Sequence, residues 1–300
     1  MAEKQLARAK KEGTVLLIGR PNVGKSTFIN NLIGTKVSIT SPKPQTTRFP
    51  IMATYEDDRG SLHFIDTPGI FGKAEDFLSK RINEKTMKQL DKEVDAVIYM
   101  IDHTRRRDFE ESKVLGLVRK VLAPKFLVIN KIDLTEKTYA AQYRFLEDEF
   151  PNAFAISALQ RKHFEPLIEA LFQVVPEEVS AKKDSARPRY QLAPQQNYDS
   201  FTFLAELIRE KIFLHTGREV PYTTTVVVDE VTDRSEGLTF IKARILTTHD
   251  RYKKMLIGKG GEKIKDLGRL ARKEIELGTN KKIFLELTVE TDPHWQETFY

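Results

Sequence analysis

The stretch GRPNVGKS, residues 19–26, decides the fold of the first half of this chain. An apolar run without alternation, residues 14–18, comes directly before it and predicts a strand buried on both faces of a parallel sheet. Residues 27–33 have apolar side chains at helical spacing, and Gly34 is expected to end that helix. A strand, a glycine-bounded loop and a helix in this order form the setting in which GxxxxGK followed by Ser or Thr cradles phosphate groups.

The residue types of this loop explain how it would hold a nucleotide. Glycines let the backbone turn tightly, so that several N–H groups and the N-terminus of the helix point at phosphate oxygens. Lys25 would reach the β- and γ-phosphates, and the Ser26 hydroxyl would ligate Mg²⁺. The alternative is an ordinary glycine-rich turn that contains an unrelated lysine. The predicted nucleotide contacts in this loop are Gly19, Asn22, Val23, Gly24, Lys25, Ser26 and Thr27.

A second group of polar residues, Asp66-Thr67-Pro68-Gly69, follows the next predicted strand at residues 61–65. The carboxylate of Asp66 would stand at the C-terminal end of that strand and hold Mg²⁺ through water. The backbone N–H of Gly69 would donate to a γ-phosphate. Because the carboxyl ends of parallel strands meet at one edge of a sheet, both residues are expected near the phosphate loop.

The choice of base depends on the sequence NKID, residues 130–133, which follows the fourth predicted strand. The carboxylate of Asp133 would accept hydrogen bonds from N1–H and the 2-amino group of guanine. Adenine has neither donor and would leave a buried charge unpaired, so GTP and GDP are the predicted nucleotides. Asn130 would brace the loop, and the stem of Lys131 would cover the base. A backbone N–H that binds the guanine carbonyl oxygen is expected at Ser157 or Ala158.

Each of these motifs alone is weak, because DTPG or NKID could be an ordinary turn. Their joint appearance in order, each behind an apolar strand, is much more specific. Strands are predicted at residues 14–18, 61–65, 96–102, 125–129 and 153–156. Five strands alternating with helical patterns favour an α/β domain with a doubly wound, mostly parallel sheet, as in P-loop GTPases.

GRPNVGKS, DTPG, NKID and ISA (residues 156–158) resemble the G1, G3, G4 and G5 boxes of translation-factor-related GTPases. Residues 45–48, QTTR, resemble the switch I box of the same GTPases. The resemblance implies a switch I threonine that contacts Mg²⁺, with Thr47 favoured over Thr46 and Thr40. The implied metal ligands are therefore Ser26, Thr47 and Asp66.

The residues that would direct hydrolysis are not evident from the sequence. Ras-type enzymes orient the attacking water with a glutamine in the switch that follows the DxxG glycine. Here Ile70 and Phe71 follow Gly69, and neither side chain can polarise water. No catalytic residue is therefore assigned, and a slow intrinsic rate is predicted, with water positioned by backbone, by other switch residues or by a partner.

Composition limits the class of protein. The chain has 300 residues, 40% of them hydrophobic, and a formal charge of +6, which permits an anionic partner. It contains no cysteine, so neither disulfides nor thiolate metal sites are expected. The charged start MAEKQLARAKKEG lacks the apolar stretch of a signal peptide, and no apolar run is long enough for a membrane span. A cytoplasmic protein is expected.

A polar stretch bracketed by prolines separates two predicted domains. We expect a linker at residues 176–190, a GTPase domain at 1–180 and a second domain at 181–300. Three consecutive arginines, residues 105–107, are expected in a solvated loop, with a partner contact as the less favoured alternative.

The second domain is predicted to have the order α-β-β-α-α-β. Its last two helices are joined by GKGG, a GXXG loop that would let the backbone approach nucleic-acid phosphates. Residues 250–282 contain eleven Lys or Arg against five Asp or Glu, so positive charge is concentrated here. A plain turn between helices is the alternative for so short a motif. The predicted RNA contacts are Ile257, Gly258, Lys259, Gly260, Gly261 and Lys263.

This second domain resembles a KH domain of the type II topology, and a GTPase domain followed by a KH domain resembles the bacterial Era family. The resemblance extends from residue 12 to 295 and includes VSITSPK at 37–43. It implies a checkpoint GTPase in assembly of the small ribosomal subunit and maturation of 16S rRNA, which binds near the 3′ end of that RNA. It also implies association with the inner face of the cell membrane. No heptad seam is evident, so a monomer is expected.

We further expect GTP to order residues 42–48 and 67–71 and, through the linker, to align the RNA groove of the second domain. Two alternatives stay open. In one, the second domain binds protein and GKGG is a plain turn. In the other, the chain is a scaffold that holds nucleotide without hydrolysing it.

Overall fold

The computed structural model describes residues 10–44, 46–70, 77–90, 93–136, 138–177, 200–217, 219–235 and 237–298. The chain forms two compact units. The first comprises Met1–Ser38 and Thr47–Asn197, and the second comprises Ile39–Thr46 and Tyr198–Tyr300. The domain boundary predicted at residue 180, and most of the linker predicted at 176–190, lie outside the described residues.

The first unit is built on a six-stranded sheet. Its strands are β1 (Lys11–Ile18), β2 (Ile51–Asp57), β3 (Gly60–Asp66), β4 (Ala96–Asp102), β5 (Lys125–Asn130) and β6 (Asn152–Ala155). Its helices are α1 (Lys25–Ile33), α2 (Phe77–Leu90), α3 (Phe109–Lys120), α4 (Phe145–Glu149) and α5 (Phe164–Val174). The strand order is β2-β3-β1-β4-β5-β6, with β2 antiparallel to β3 and the other pairs parallel. The predicted α/β class with a doubly wound, mostly parallel sheet is confirmed.

Strand β1 is buried on both faces, as its unbroken apolar run predicts. Val15 and Leu17 pack into one hydrophobic cluster with α1 and α5, while Leu16 and Ile18 pack into another with α3. All four side chains are fully buried. Burial of one such aliphatic side chain contributes about 1.5–3 kcal/mol. The packing on both faces therefore fixes β1 inside the sheet, and the phosphate loop follows at its C-terminal end.

Strand β2 is the part of this sheet that the sequence does not predict. It pairs with β3 along its whole length, from Ile51 opposite Asp66 to Asp57 opposite Gly60. The turn needs glycine at Gly60, where φ is 137° and a Cβ would lie 1.9 Å from the carbonyl oxygen of Lys11. The first three residues of β2 are all buried and the others are partly or fully exposed, so the strand lacks the period of two that would reveal it.

The second unit is a three-stranded sheet with helices. Its strands are β7 (Thr224–Ser235), β8 (Leu238–Thr247) and β9 (Lys282–Thr291). Its helices are α6 (Ser200–His215), α7 (Asp250–Ile257), α8 (Glu262–Thr279) and the short α9 (Trp295–Thr298). Strand β8 lies in the middle, antiparallel to β7 and parallel to β9. The predicted order α-β-β-α-α-β is present, and no helix in the described part of the chain is long and apolar enough to cross a membrane.

One face of this sheet packs against the helices. Alternate residues of β8, Ile241, Ala243 and Ile245, belong to a hydrophobic core that includes residues of α6, α7 and α8. Trp295, the single tryptophan of the chain, is fully buried and donates its indole N–H to the carbonyl of Thr223 at 3.0 Å. The indole therefore reports on the packing of the second unit.

The segment Ile39–Thr46 belongs to the second unit, although the residues before and after it belong to the first. We call it the docked segment. Ile39 is 1% exposed and is part of the hydrophobic core that contains α6. At the other end of the segment, the buried guanidinium of Arg209 in α6 donates to the carbonyl oxygen of Thr46. The docked segment is thus anchored in the core of the second unit at Ile39 and bound to α6 at Thr46.

The middle of the docked segment also contacts α6. The backbone N–H of Thr40 donates to Glu210 Oε1 at 2.8 Å. The ammonium group of Lys43 donates to the carbonyl oxygen of Thr216 at 2.7 Å and to that of Phe213. Carbonyls at the C-terminus of a helix have no partner inside the helix and carry partial negative charge, so a lysine satisfies and stabilises them.

Candidate functional site

The loop between β1 and α1 has the backbone shape that a phosphate site requires. Asn22 and Gly24 have φ values of 64° and 109°, and α1 begins directly after Gly24. A Cβ on Gly24 would lie 2.1 Å from Asn130 Nδ2, and one on Gly19 would lie 2.4 Å from the carbonyl oxygen of Met100. Neither position has space for a side chain, so the glycines are needed where the loop passes β4 and β5.

Lys25 is held inside this loop. It is 6% exposed, and its ammonium group donates to the carbonyl oxygens of Gly19 and Arg20, both at 3.2 Å. Burial lowers the pKa of Lys25, and the nearby carboxylate of Asp66 opposes that shift. A phosphate would bring negative charge to a desolvated ammonium, which favours its charged form. Thr27 follows in the first turn of α1 and is half-buried.

The three predicted metal ligands lie together at the start of α1. Ser26 Oγ donates to Asp66 Oδ2 at 2.6 Å and lies 3.1 Å from Thr47 Oγ1. Asp66 is fully buried, and burial raises the pKa of its carboxyl group against the opposing effect of Lys25. Its other oxygen, Oδ1, has no hydrogen-bond partner within the described residues. A buried carboxylate oxygen without a partner, beside two hydroxyls, is a hard oxygen donor set that fits Mg²⁺.

The three threonines considered for switch I have different partners. Thr47 is the one whose hydroxyl lies beside Ser26. Thr40 is in the docked segment, and Thr46 donates its hydroxyl to a carbonyl within that segment. Gln45, the first residue of the switch I box, lies outside the described residues.

The DTPG segment packs closely on the phosphate loop. A Cβ on Gly69 would lie 2.5 Å from the backbone nitrogen of Pro21, so only glycine fits there. Thr67 is fully buried and donates its hydroxyl to a backbone carbonyl of β1 at 2.5 Å. Ile70 is 2% exposed and belongs to the hydrophobic cluster on the α3 side of the sheet. Phe71, which the sequence prediction also names, lies outside the described residues.

Asn130 links three parts of the candidate site. Its Nδ2 donates to the carbonyl oxygen of Val23 at 2.7 Å, and its Oδ1 accepts from the N–H of Ala158 at 2.8 Å. These contacts match the bracing role that the sequence predicts for it. Both amides proposed for the guanine oxygen thus have acceptors here, since the N–H of Ser157 donates to the carbonyl oxygen of Lys162 at 3.3 Å. Ser157 Oγ donates to Asp133 Oδ1, which holds that carboxylate in place.

Asp102 and His103 lie beside Lys131, but sequence motifs do not identify them. Both stand at the end of β4, far from NKID in the chain. Lys131 Nζ lies 2.6 Å from Asp102 Oδ2, and the carbonyl of Lys131 accepts from His103 Nε2 at 2.9 Å. Asp102 is the last residue of β4 and is in register with Asn130, the last residue of β5. A polar residue at the end of a buried parallel strand is the signal that could have identified them.

Two arginines anchor the phosphate loop and were also missed. Arg20 is 3% exposed and pairs with Asp108 at 2.7 Å and Glu110 at 2.9 Å, at the start of α3. Arg105 donates to the carbonyl oxygen of Pro21 at 2.8 Å. Arg105 makes this contact from the predicted solvated loop while its side chain stays 37% exposed, and Arg106 and Arg107 are exposed. The acidic run DFEE directly after the triplet is the sequence signal for this ion-pair cluster.

The GXXG loop in the second unit joins α7 to α8. Gly258, Gly260 and Gly261 have φ values of 74°, 59° and 81°. A Cβ on Gly258 would lie 2.6 Å from the Cβ of Lys263, whereas the positions of Gly260 and Gly261 have open space around them. The loop thus leaves backbone accessible at the N-terminus of the 18-residue helix α8, where N–H groups favour an anion.

Basic side chains surround this loop. Lys259 at its tip is exposed, while Ile257 and Lys263 are half-buried on either side of it. Helix α8 presents further exposed cations, which are Lys265, Arg269, Arg272 and Lys273. The six predicted RNA contacts therefore lie together in residues 257–263, with two lysines and one exposed carboxylate, Glu262, and exposed cations of α8 follow them in the chain.

Comparison with known proteins gives matches to both units. A family model described as "50S ribosome-binding GTPase" matches residues 14–131, and one described as "KH domain" matches residues 219–296. GTPase Era of Halothermothrix orenii is 38% identical over 96% of this chain and 95% of its own length. GTPase Era of Geotalea uraniireducens is 37% identical over 99% of this chain and 96% of its own length.

Two solved structures are similar over almost the whole chain. Era in complex with MgGDPNP and nucleotides 1506–1542 of 16S ribosomal RNA has a TM-score of 0.83 and 32% identity, covering 96% of this chain and 95% of that one. A variant of Era of Aquifex aeolicus bound to GDP·AlF4⁻ has a TM-score of 0.84 and 31% identity, covering 95% of each chain.

A phosphate loop on a doubly wound sheet, followed by a unit with a GXXG loop, defines a P-loop GTPase that carries a KH domain. Relatives from two organisms match it over nearly their full lengths at well above 30% identity. This chain belongs to the GTPase Era family.

Proposed function

We propose that this GTPase binds GTP and GDP with Mg²⁺ and acts in assembly of the small ribosomal subunit and maturation of 16S rRNA, where its KH unit binds near the 3′ end of that RNA. The observation that carries the proposal is the presence in one chain of the hydrogen bond from Ser26 to the buried Asp66 and of an accessible GXXG loop. The Era structure that holds MgGDPNP and 16S nucleotides supports it, because that protein is 32% identical across 96% of this chain.

In this proposal the chain itself binds and orients the nucleotide. Mg²⁺, when bound, neutralises charge on the β- and γ-phosphates. Ser26, Thr47 and Asp66 would hold the metal, with Asp66 acting through water. The proposed nucleotide contacts are Gly19, Asn22, Val23, Gly24, Lys25, Ser26, Thr27, Asp66, Gly69, Asn130, Lys131, Asp133, Ser157 and Ala158.

Nucleotide competition tests the choice of base. GTP and GDP are expected to displace a labelled guanine nucleotide, and ATP is not, because adenine lacks the N1–H and 2-amino donors that Asp133 would accept from. Asp133→Asn should weaken GDP binding and reduce the preference over ATP. The matched control is Asp148→Asn, which changes an exposed carboxylate in α4. Equal displacement by ATP and GTP from the unaltered protein would contradict the proposal.

Hydrolysis without a partner is expected to be slow. Ile70 packs in the core and cannot orient water, so no side chain is assigned that role. We expect a low single-turnover rate for the isolated protein and faster phosphate release when 16S rRNA or small subunits are added. A fast rate without any partner would overturn the first expectation, and phosphate release that no partner accelerates would overturn the second.

The proposed RNA contacts are Ile257, Gly258, Lys259, Gly260, Gly261 and Lys263. Changing Lys259→Glu together with Gly260→Asp places two carboxylates beside the RNA backbone, and we expect affinity for the 3′ end of 16S rRNA to fall at least about tenfold. Lys120→Glu, an exposed charge reversal at the end of α3, is the control. Unchanged RNA retention would favour the alternative in which the second unit binds protein.

We propose that the docked segment couples the nucleotide to the KH unit. The chain enters this segment from Ser38, whose hydroxyl donates to Asp66 Oδ2 at 3.1 Å, and leaves it to Thr47 beside Ser26. If these flanking residues move when a γ-phosphate and Mg²⁺ are bound, the docked segment, which contacts α6, would move with them. This route differs from the predicted coupling through the linker at 176–190.

The coupling is tested by RNA affinity in GDP and in a non-hydrolysable GTP analogue. We expect the two affinities to differ, and Lys43→Met to reduce the difference because it removes the hydrogen bonds to the carbonyl oxygens of Phe213, in α6, and Thr216, which follows α6. Equal RNA affinities with both nucleotides would remove the coupling. An undiminished difference in Lys43→Met would assign the coupling to the linker instead.

A monomeric state and a position in the cytoplasm and at the inner face of the cell membrane complete the proposal. Exposed lysines and arginines of α8 support peripheral attraction to anionic lipids. Sedimentation velocity should give the mass of one chain. In a flotation assay the protein should bind anionic vesicles at low salt and dissociate from them at high salt. Equal binding to neutral and anionic vesicles would contradict the proposed membrane association.

A further inference from the structure

Two residues hold Lys131: Asp102, the last residue of β4, contacts its ammonium group, and His103, the next residue, contacts its backbone carbonyl. Its ammonium group lies 2.6 Å from Asp102 Oδ2, and its backbone carbonyl accepts from His103 Nε2 at 2.9 Å. Lys131 itself has a φ of 72°, a left-handed conformation that costs free energy for a residue with a side chain. The surrounding contacts therefore have to hold this turn in place.

The Asp102 side of this arrangement is built for that purpose. Asp102 is 2% exposed, and its second oxygen accepts from both the N–H and the hydroxyl of Thr104, at 2.9 and 2.6 Å. Burial alone would raise the pKa of Asp102, but hydrogen bonds from Lys131 and Thr104 outweigh it and hold the pKa below its ordinary value. The carboxylate is thus ionised and fixed when it meets Lys131.

The His103 side is equally constrained. His103 is 8% exposed, and its Nδ1 lies 3.0 Å from the hydroxyl of Thr138. Because the Lys131 carbonyl can only accept, Nε2 carries the proton of that hydrogen bond. The carbonyl of His103 accepts from the N–H of Tyr139 at 2.7 Å. His103 therefore joins the NKID turn to the chain that follows it.

We propose that Asp102 and His103 are positioning residues for the guanine base. Asp102 extends the Lys131 side chain so that its methylene groups form a fixed cover over the base. His103 holds the left-handed turn that directs Asp133. A long lysine loses much rotamer freedom when it is ordered, and a protein that orders it beforehand binds its ligand more tightly. This inference rests on the proposed binding of guanine nucleotides.

The first test uses the full chain with Asp102→Asn and measures rate constants for labelled GDP. We expect the GDP dissociation rate to rise about tenfold with little change in association, since affinity changes fall mainly on dissociation. Inhibition by inorganic pyrophosphate, which has no base, should change less than twofold. Asp148→Asn is the matched control on an exposed carboxylate. Equal losses for GDP and pyrophosphate would mean a general structural role and overturn the proposal.

The second test is a double-mutant cycle with Lys131→Met, which keeps the stem and removes the ammonium group. If Asp102 acts through Lys131, Asp102→Asn should add nothing to the GDP dissociation rate of Lys131→Met. Multiplying effects would overturn the pairing. Since Lys131 is partly exposed, Lys131→Met alone should fold and raise the dissociation rate even where Asp102→Asn does not fold.

The His103 part is tested by two substitutions. His103→Gln keeps an N–H for the Lys131 carbonyl and should retain most of the GDP affinity, whereas His103→Ala should lose it. Equal GDP affinities of the two variants would overturn the role of His103.

The tests separate this inference from the proposed function on which it rests. A wild-type protein without preference for guanine nucleotides refutes the proposed function. A wild-type preference that Asp102→Asn and His103→Ala leave intact refutes only the positioning roles.

Discussion

Gly24 shows how much of the phosphate loop depends on one missing side chain. A Cβ there would lie 2.1 Å from Asn130 Nδ2, and the φ of 109° strains any other residue. Gly24→Ala must displace the amide that braces Val23 and Ala158. We expect GDP affinity to fall about 10- to 100-fold, or about 1.4–2.8 kcal/mol, in a titration with labelled nucleotide. Normal affinity would show that the loop and Asn130 can separate without loss.

Gly116 offers the same substitution in an open position. It lies within α3, and a Cβ there would meet nothing within 4 Å. Alanine loses less backbone entropy than glycine on folding, so Gly116→Ala should stabilise the first unit by about 0.5–1 kcal/mol. Urea unfolding followed by far-UV circular dichroism measures it. A lower midpoint in this variant would contradict the argument that only local space and φ decide these glycines.

Asp66 should decide how strongly Mg²⁺ supports nucleotide binding. Its buried Oδ1 lacks a partner within the described residues, and its Oδ2 already accepts from Ser26 and Ser38. Asp66→Asn keeps the size of the side chain but removes the charge. We expect chelation of Mg²⁺ to weaken GDP binding about 10- to 100-fold in the unaltered protein and much less in the variant. An identical response to the chelator would remove Asp66 from the metal site.

At this scale the sequence identifies residues whose chemistry depends on type and spacing, such as Lys25 and Asp133. It misses Arg20 and His103, because their partners come from other strands and helices. Arg20 meets α3, and His103 meets the turn after β5. Such contacts depend on strand order, which local spacing does not contain.

Among the elements, the β7–β8–β9 sheet carries a cross-strand ion-pair network on its outer face. Arg244 in β8 contacts both oxygens of Asp229 in β7 at 2.8 Å and Glu290 in β9 at 2.9 Å. The hydrogen bonds from Arg244 hold the pKa of Asp229 below its ordinary value. Stability from a carboxylate of this kind is present above its unfolded pKa and is lost as pH falls through the lower folded pKa.

Arg244→Gln should therefore destabilise the second unit by about 0.5–1 kcal/mol near neutral pH, and by much less in acid where Asp229 is protonated. Fluorescence of the buried Trp295 follows this unit during urea unfolding. Lys242→Gln is the matched control, since Lys242 is two residues away in β8 and lies 3.9 Å from its partner Glu286. A pH-independent loss in Arg244→Gln would point to lost packing rather than lost charge.

Elements with a strong periodic pattern were predictable, and elements that depend on their neighbours were not. The continuous run of β1 and the amphipathic α5 are evident because burial on two faces or one face leaves a clear pattern. Strand β2 is stabilised by pairing with β3, and α4 has five residues, too few to show a period. The turn at Gly60 is the local sign that β2 and β3 form a hairpin.

For the whole molecule, nucleotide binding should be detectable in the second unit. Trp295 lies in that unit, and so does the docked segment. A ligand present at 100 times its dissociation constant stabilises the state that binds it by about 2.7 kcal/mol. We expect GDP to raise the urea midpoint reported by Trp295, by less than the full effect, and Lys43→Met to reduce that rise. If GDP leaves the urea midpoint reported by Trp295 unchanged, the docked segment does not couple nucleotide binding to the stability of the second unit.

The order of domains follows from the motifs, but the membership of the docked segment does not. Residues 39–46 stand between two phosphate-site motifs, so the sequence assigns them to the first domain. They join the second unit because Ile39 enters its core, because Arg209 and Glu210 bind the backbone of the segment, and because carbonyls at the end of α6 accept from the Lys43 side chain. Contacts between residues so far apart in the chain depend on the tertiary structure, so local sequence patterns do not predict them.

Thr40 and Glu210 are 170 residues apart in the chain. Because a protein leaves the ribosome from its N-terminus, the whole phosphate loop of a nascent chain emerges long before α6 is synthesised. During that interval residues 39–46 have none of the groups that hold them in the finished protein. A nascent chain can therefore bind cellular GTP before the docked segment contacts α6. Its nucleotide exchange should differ from that of the completed protein.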